Sequence, residues 1–337
     1  MRLRTIVLFF IVLIVLSACG IGEPPATATS IPTDTPIVPP TASATPTIPL
    51  AVLVIPADLD TETSNLYQTT VYDLAQASGF RFQVLNSLTP ETIEPGLQAV
   101  VALPPDPGIA ALAAAAPQVQ FLAINIPGIS PGGNISVLSG SAQPDLAAFL
   151  AGYTAAMTTE DYRIGMMIPK DNPDAIRALN AYANGMKFYC GICRPLYFSQ
   201  WSYPQYVEIP AEEDQANYDA YADILILQYD VGTIYLYPDI AIPDLYNYIG
   251  TTGASMIGTV SPEQLPAGWM MTIQPDIVKA IQNAWPNLVS GQGGITVESP
   301  LSLSDIDPSL LSPGKQRLVE EKLNELQSGL INTGTAP

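Results

Sequence analysis

The chain has 337 residues, with 31 acids against 12 lysines and arginines, no histidine and three cysteines, for a formal net charge of −19. A field of that sign opposes nucleic acid and anionic membrane surfaces and mildly favours neutral or cationic ligands. The missing histidine excludes Ser-His-Asp and Cys-His catalysis for want of a base and, with so few cysteines, leaves little room for zinc sites of the usual kinds; no metal and no cofactor are expected.

Residues 1–19 set the compartment. Arg2 and Arg4 precede an unbroken apolar run, Ile6 to Leu16, and Leu16-Ser17-Ala18-Cys19 follows. The run is short for a bilayer span, which takes ~20 apolar residues, and its charged start and small-residue end are those of a secretory signal. The tetrad resembles the lipobox of bacterial lipoproteins. That resemblance implies a signal peptide over 1–18, cleavage before Cys19, lipid on the Cys19 sulfur and amine, and an extracytoplasmic protein held to the bacterial cell membrane by that lipid. Residues 19–49 then read as a tether. Eight prolines and seven threonines lie between Gly20 and Pro49, a composition that buries no core and stays extended.

From Leu50 a short apolar run followed by a longer amphipathic stretch recurs. Strands are expected at Leu50 to Pro56, Phe80 to Leu85, Leu97 to Pro104, Val119 to Asn125 and Asn134 to Gly140, with helices at Ser64 to Ala77, Pro107 to Ala116 and Pro144 to Met157. The cycle restarts with strands at Tyr162 to Pro169, Arg194 to Gln200, Ala222 to Gln228, Ala254 to Val260, Trp269 to Gln274 and Gly294 to Glu298. Helices are expected at Pro173 to Phe188, Glu212 to Tyr221, Ile242 to Ile249, Pro275 to Ser290 and Gly314 to Gly329. The runs are apolar on both faces, which suits parallel strands covered by helices. Alternation through two series predicts an α/β fold of two doubly wound parallel-sheet lobes with a hinge and an interlobe cleft. The expected division is 50–140 as an N-terminal lobe with a later returning segment, 141–298 as hinge helix and C-terminal lobe, and 299–337 as a closing segment. The tyrosines of Tyr229 to Gly250 read as amphipathic rings at a lobe surface.

"NISVLSGSAQPDLAAFLAGYTAAMTTEDYRIGMMIP", Asn134 to Pro169, resembles the hinge-crossing segment of the basic membrane protein family, the purine-nucleoside-receptor lipoproteins among the type I periplasmic binding proteins. The resemblance lies in the "AxFLAGxxAA" helix and the glycine-containing strand after it, and Asp174 to Phe188 is similar to the family's next helix. It implies a substrate-binding lipoprotein that passes a small-molecule ligand, often a nucleoside, to the permease of an ABC importer. The sequence departs from the family at two places. Ser64 stands where a phenylalanine is usual beside Asn65, and "IGTVSPEQ" carries Glu263-Gln264 without the preceding aspartate.

Ligands in doubly wound sheets sit beyond the carboxyl ends of the strands. On the expected strands those ends are Asp58, Asp60, Ser64 and Asn65, then Asp106, then Asn125. In the second series they are Lys170, Asp171 and Asn172, then Gln200 and Trp201, then Tyr229 and Asp230, and last Ser261 and Glu263. The ligand-binding candidates are Asp58, Asn65, Asn125, Asp171, Trp201, Tyr229, Asp230 and Glu263. Trp201 or Tyr229 could stack on a planar ring or sugar face and the carboxylates could take hydroxyls; Asp171-Asn172 before Pro173 equally reads as a helix cap. Asp58 and Asp230 could do acid-base work only within a glycosidase's ~5–10 Å, which no spacing demands, so an enzyme is not expected. A monomeric solute receptor is the leading reading, and a surface lipoprotein with a scaffold, adhesion or sensing role is the alternative.

"FYCGIC", Phe188 to Cys193, has the spacing of a reactive dithiol. A redox pair places its first cysteine at a helix N-terminus, whereas Cys190 falls at the end of the helix from Pro173, where the dipole disfavours thiolate. Metal binding would need two more ligands. An exported pair oxidises, so Cys190 and Cys193 are expected as a disulfide that fixes a helix-to-strand turn.

Overall fold

A computed structural model of the chain describes residues 48–139, 143–193 and 201–335. The signal and tether, the lipidation candidate Cys19 and the strand expected at Arg194 to Gln200 lie outside the described residues. In the first sheet β1 (Leu50–Val54), β2 (Arg81–Leu85), β3 (Leu97–Ala102), β4 (Gln120–Ile124) and β5 (Ile135–Ser139) stand in the order 2-1-3-4-5. All pair in parallel. Helices α1 (Thr61–Ala77) and α2 (Ile109–Ala115) make the intervening crossovers. β1 and β4 are buried along their whole length, and the alternation of a strand divides their side chains between two cores. Ala51, Leu53, Val71 and Trp285 share one, and Leu50, Val52, Ile109 and Phe121 the other.

After β5 the chain leaves this sheet through α3 (Pro144–Thr158) and builds a second one from β6 (Ile164–Pro169), α4 (Pro173–Cys190), β7 (Gln205–Ile209), α5 (Tyr218–Asp223), β8 (Thr233–Leu236), α6 (Pro243–Thr252), β9 (Ser255–Gly258) and β10 (Trp269–Pro275). The parallel order is again second, first, third, fourth, fifth. The chain then returns. α7 (Ile277–Val289) packs its Ala280, Ile281 and Trp285 against the first sheet, and β11 (Thr296–Glu298) extends that sheet beside β5. β12 (Leu301–Ser304) crosses back to lie antiparallel to β10, and α8 (Pro313–Gln327) covers the second core. The stretch 277–298, expected with the second lobe, thus lies on the first sheet.

α3 is apolar around its circumference, with every residue from Ala147 to Met157 buried. Its contact with α4 brings the two backbones together at two glycines. A Cβ on Gly152 would stand 2.0 Å from the Tyr182 carbonyl oxygen, and one on Gly185 1.9 Å from that of Phe149. No rotamer change relieves a clash with backbone, so only glycine fits. On the other side of α4, Tyr182 stacks on Tyr235 of β8 with ring centroids 5.8 Å apart and donates its hydroxyl to the Gly165 carbonyl at 3.0 Å. Burial raises both phenol pKa values above the usual range.

Two expectations fail. Ala222 to Gln228 is helical, α5 continuing into a wide turn over Ile224–Gln228. Its buried residues are Tyr218, Ala222 and Leu225, at helical spacing, while Leu227 is 76 % exposed. The strand that fills this place in the sheet is β8, which begins at Thr233. The tyrosines of 229–250 are therefore not all at a wet surface, since Tyr235, Tyr237 and Tyr246 are buried in the second core.

Gly152→Ala or Gly185→Ala is expected to destabilise the chain by at least the ~1–3 kcal/mol typical of overpacking, because the obstructing atom is a carbonyl oxygen. Denaturant unfolding of each variant measures it.

Candidate functional site

Three crossovers join the sheets. Residues 140–143 lead from the carboxyl end of β5 to the start of α3; Asp276 alone links the carboxyl end of β10 to α7; Ser299 and Pro300 link the carboxyl end of β11 to β12, whose first residue Leu301 pairs with Pro275. All three run between the carboxyl edge of one sheet and that of the other. They are cross-tied, since the Asp276 N–H donates to the Pro300 carbonyl at 2.6 Å and Gln143 donates to the Glu298 carboxylate at 3.2 Å. The loops that follow the parallel strands of both sheets belong to these two joined edges, where ligands of doubly wound folds bind.

On the first sheet's edge, Asp58 is exposed in the β1–α1 loop. Asp60 caps α1, its carboxylate accepting from the Thr63 N–H at 2.8 Å. That bond, with one from the Thr63 side chain, holds the carboxyl below its usual pKa. Ser64 accepts from Gln68, and Asn65 is exposed one turn into α1. Asp106 caps α2 by accepting from the N–H groups of Gly108 and Ile109, both at 2.9 Å. Asn125 follows β4 directly, exposed, with φ of 51°, a left-handed conformation that asparagine tolerates well.

On the second sheet's edge, Lys170 and Asp171 are exposed after β6, Asp171 with φ of 57°. Asn172 caps α4 through the N–H groups of Asp174 and Ala175 and donates to Asp239 at 3.2 Å. Asp239, just past the end of β8, thus joins the same edge, and Glu263 is exposed in the loop between β9 and β10. Ser261, itself exposed, donates to Asp305 at 2.5 Å; Thr272 and Ser304 donate to the same carboxylate at 2.6 and 3.2 Å. Partial burial pushes the Asp305 carboxyl up, but the three hydroxyls together outweigh it and hold its pKa below the usual value. Two hydroxyls at these edges, Thr259 after β9 and Ser299 in a crossover, are buried without a hydrogen-bond partner.

Trp201, Tyr229 and Asp230 lie elsewhere. With 222–228 helical, Tyr229 and Asp230 precede β8 instead of following a strand, so they stand at the amino edge of the second sheet. Trp201 meets Tyr229 edge to face with centroids 4.8 Å apart, and Tyr203 donates to the Tyr229 carbonyl at 2.9 Å. Asp230 pairs with Arg163, the residue before β6. These residues fasten loops at the end of the sheet remote from the crossovers. Gln200 lies outside the described residues. The edge residues that sequence reasoning missed are Asp239, Asp305 and the orphan hydroxyls; Asp239 would have been found had the spacing of Tyr218, Ala222 and Leu225 been read as helical.

Cys190 ends α4 and is joined to Cys193 as a disulfide across the turn begun by Gly191, whose φ is 67°. Cys190→Ser is expected to cost about 2 kcal/mol or less on the loop-entropy account and to leave ligand affinity unchanged, as unfolding and titration of the variant would show. Asp305, with a lowered folded-state pKa, contributes stability that is present above the unfolded value near ~4 and lost as pH falls through the lower folded value. Asp305→Asn should therefore be less stable at neutral pH and should lose less stability on acidification, read from melting temperatures between pH 7 and 3.

No family model matches the chain, and no curated protein matches it. Solved structures do. A transcriptional activator of the comK gene from Bacillus halodurans is 14 % identical, with 83 % of this chain and 98 % of that one covered and a TM-score of 0.52. An ABC transporter solute-binding protein from Aeropyrum pernix K1 is 16 % identical over 85 % and 93 %, TM-score 0.45. A periplasmic binding protein/LacI transcriptional regulator from Alkaliphilus metalliredigens QYMF, complexed with D-xylulofuranose, is 11 % identical over 76 % and 97 %, TM-score 0.40. At such identities the likeness is one of fold alone, two mostly parallel α/β sheets with helices packed against them.

Proposed function

We propose that the chain is an extracytoplasmic ligand-binding lipoprotein that captures a small neutral ligand, nucleoside or sugar-like, between its two sheets and presents it to an ABC permease. One observation carries the binding role. Two sheets of the same 2-1-3-4-5 order are joined carboxyl edge to carboxyl edge by short crossovers, an arrangement that can close on a ligand by hinge motion. Asp58, Asp171 and Glu263 are exposed on those edges, without the cap bonds that occupy Asp60, Asp106 and Asn172, and together with Asn125, exposed directly after β4, would contact the ligand. The importer, the nucleoside-like ligand and the anchor rest on the sequence: the Asn134 to Pro169 resemblance to the basic membrane protein family, and Leu16 to Cys19. Among the described residues no helix is long and apolar enough to cross a membrane.

A thermal-shift panel of nucleosides, pentoses, hexoses and amino acids tests the reading. One class should raise the melting temperature saturably, by the equivalent of ~2.7 kcal/mol at a hundredfold excess over Kd. Asp58→Ala and Asp171→Ala should each weaken that ligand about tenfold, the ~1.4 kcal/mol of one hydrogen bond to a charged group. Trp201→Ala and Asp230→Ala should leave it unchanged. A panel without any shift, or affinity lost only in the last two variants, refutes the site.

A further inference from the structure

We propose that residues 331–335, which follow α8, are a clasp on the hinge: they hold the first turn of α3, where the chain lands on the second sheet, and so tune ligand affinity without being among the candidate contacts. The effect on affinity rests on the proposed cleft. The clasp itself does not.

α3 needs holding at one end. From Ala147 to Met157 every residue is buried, so the core fixes the body of the helix. At its far end Lys315 of α8 donates to the Met157 carbonyl at 3.0 Å. The first turn has neither support. Pro144, Asp145 and Leu146 are half-buried, and Gln143 at the N-cap makes no capping bond. Proline brings no N–H of its own, and a helix end without cap or burial opens readily.

The residues after α8 supply what is missing. The chain turns at Gly329, with φ of 74°, and Ile331 packs against the second core. Thr333 is only 7 % exposed, and its hydroxyl donates to the Asp145 carboxylate at 3.2 Å. Thr335 stands 3.5 Å from the same oxygen, and the two threonine hydroxyls are 2.9 Å apart. Asn184 of α4 donates to the Thr333 carbonyl at 2.9 Å. Glycine at 334 lets it approach, since φ there is 74° and a Cβ would stand 2.7 Å from the Asn184 amide nitrogen. One short segment is thus tied to both helices of the Gly152–Gly185 pair. Just before it, Gln327 donates at 2.8 Å to the carbonyl of Leu301, the residue on which another crossover lands.

Release of the clasp would let the first turn of α3 unwind, which adds about four residues to the link at 140–143. A longer link admits more orientations of the two sheets. Fewer ligand-free molecules then stand near the closed one, and apparent affinity falls by that fraction.

Hydrogen-exchange mass spectrometry of the ligand-free chain, intact, as Thr333→Val, and stopped after Leu330, tests the clasp. Peptides over 144–150 should exchange at least about tenfold faster in the shortened chain and about threefold faster in Thr333→Val. β1 and the middle of α8 should be unaltered, which separates the effect from a general loss of stability. Titration with adenosine, D-ribose and D-glucose tests the consequence. A probe that binds the intact chain should bind the shortened one at least about threefold more weakly. Unchanged exchange over 144–150 in the shortened chain, or equal acceleration in β1, overturns the clasp, and equal affinity of the two chains for a binding probe overturns its effect on the ligand. Failure of all three probes on the intact chain counts against the cleft, while the exchange comparison still decides the clasp.

Discussion

The backbone-to-backbone contact of α3 and α4 at Gly152 and Gly185 is the constraint on which the second half of the molecule depends. α3 is the first segment to leave the first sheet, and it enters the second as a helix buried on every side. Its depth in that core fixes where the second sheet sits relative to the crossover that delivers it. Two glycines allow the axes to approach until carbonyl oxygens fill the space that side chains would occupy, so dispersion contacts form along the length of both helices. α4 is thereby pinned on one side by backbone and on the other by the Tyr182–Tyr235 stack.

The same contact explains what the family resemblance was recognising. The small residues of "AxFLAGxxAA", with Gly185 in the following helix, are those of a close helix pair. A packing signature transfers with a fold and says little about a ligand. Strand-end residues divide in the same way. Asp60, Asp106 and Asn172 spend their side chains on helix caps, so their residue types are explained by local structure, whereas Asp58 has no such role.

Most of the fold was legible because parallel strands buried on both faces leave unbroken apolar runs, and β1, β3, β4, β6, β9 and β10 all announce themselves in that way. The run at Ala222 to Gln228 deceived because its composition is that of a strand, while its buried positions follow the 218, 222, 225 spacing of a helix. One displaced strand moved the candidate site with it, since Tyr229 and Asp230 changed from the end of a strand to the approach to one, and took Trp201 along. β7, which lies at the sheet's edge with Tyr206 exposed, offers no such run, and β12 is too short to show one. Sheet membership of 277–298 has no local signature, because β11 joins the first sheet only through its pairing with β5.

Prolines flank each crossover: Pro144 opens α3, Pro275 ends β10 and Pro300 precedes β12. Each fixes one backbone torsion, and the links hold between one and four residues, two of them bonded to each other through Asp276 and Pro300. Asp276 and the Ser299–Pro300 link, two short straps between the same two edges, behave as a door hinge with two leaves. They allow the bodies to swing about the line that joins the straps and resist twist and slide across it, so that any movement of one sheet relative to the other has a single soft coordinate.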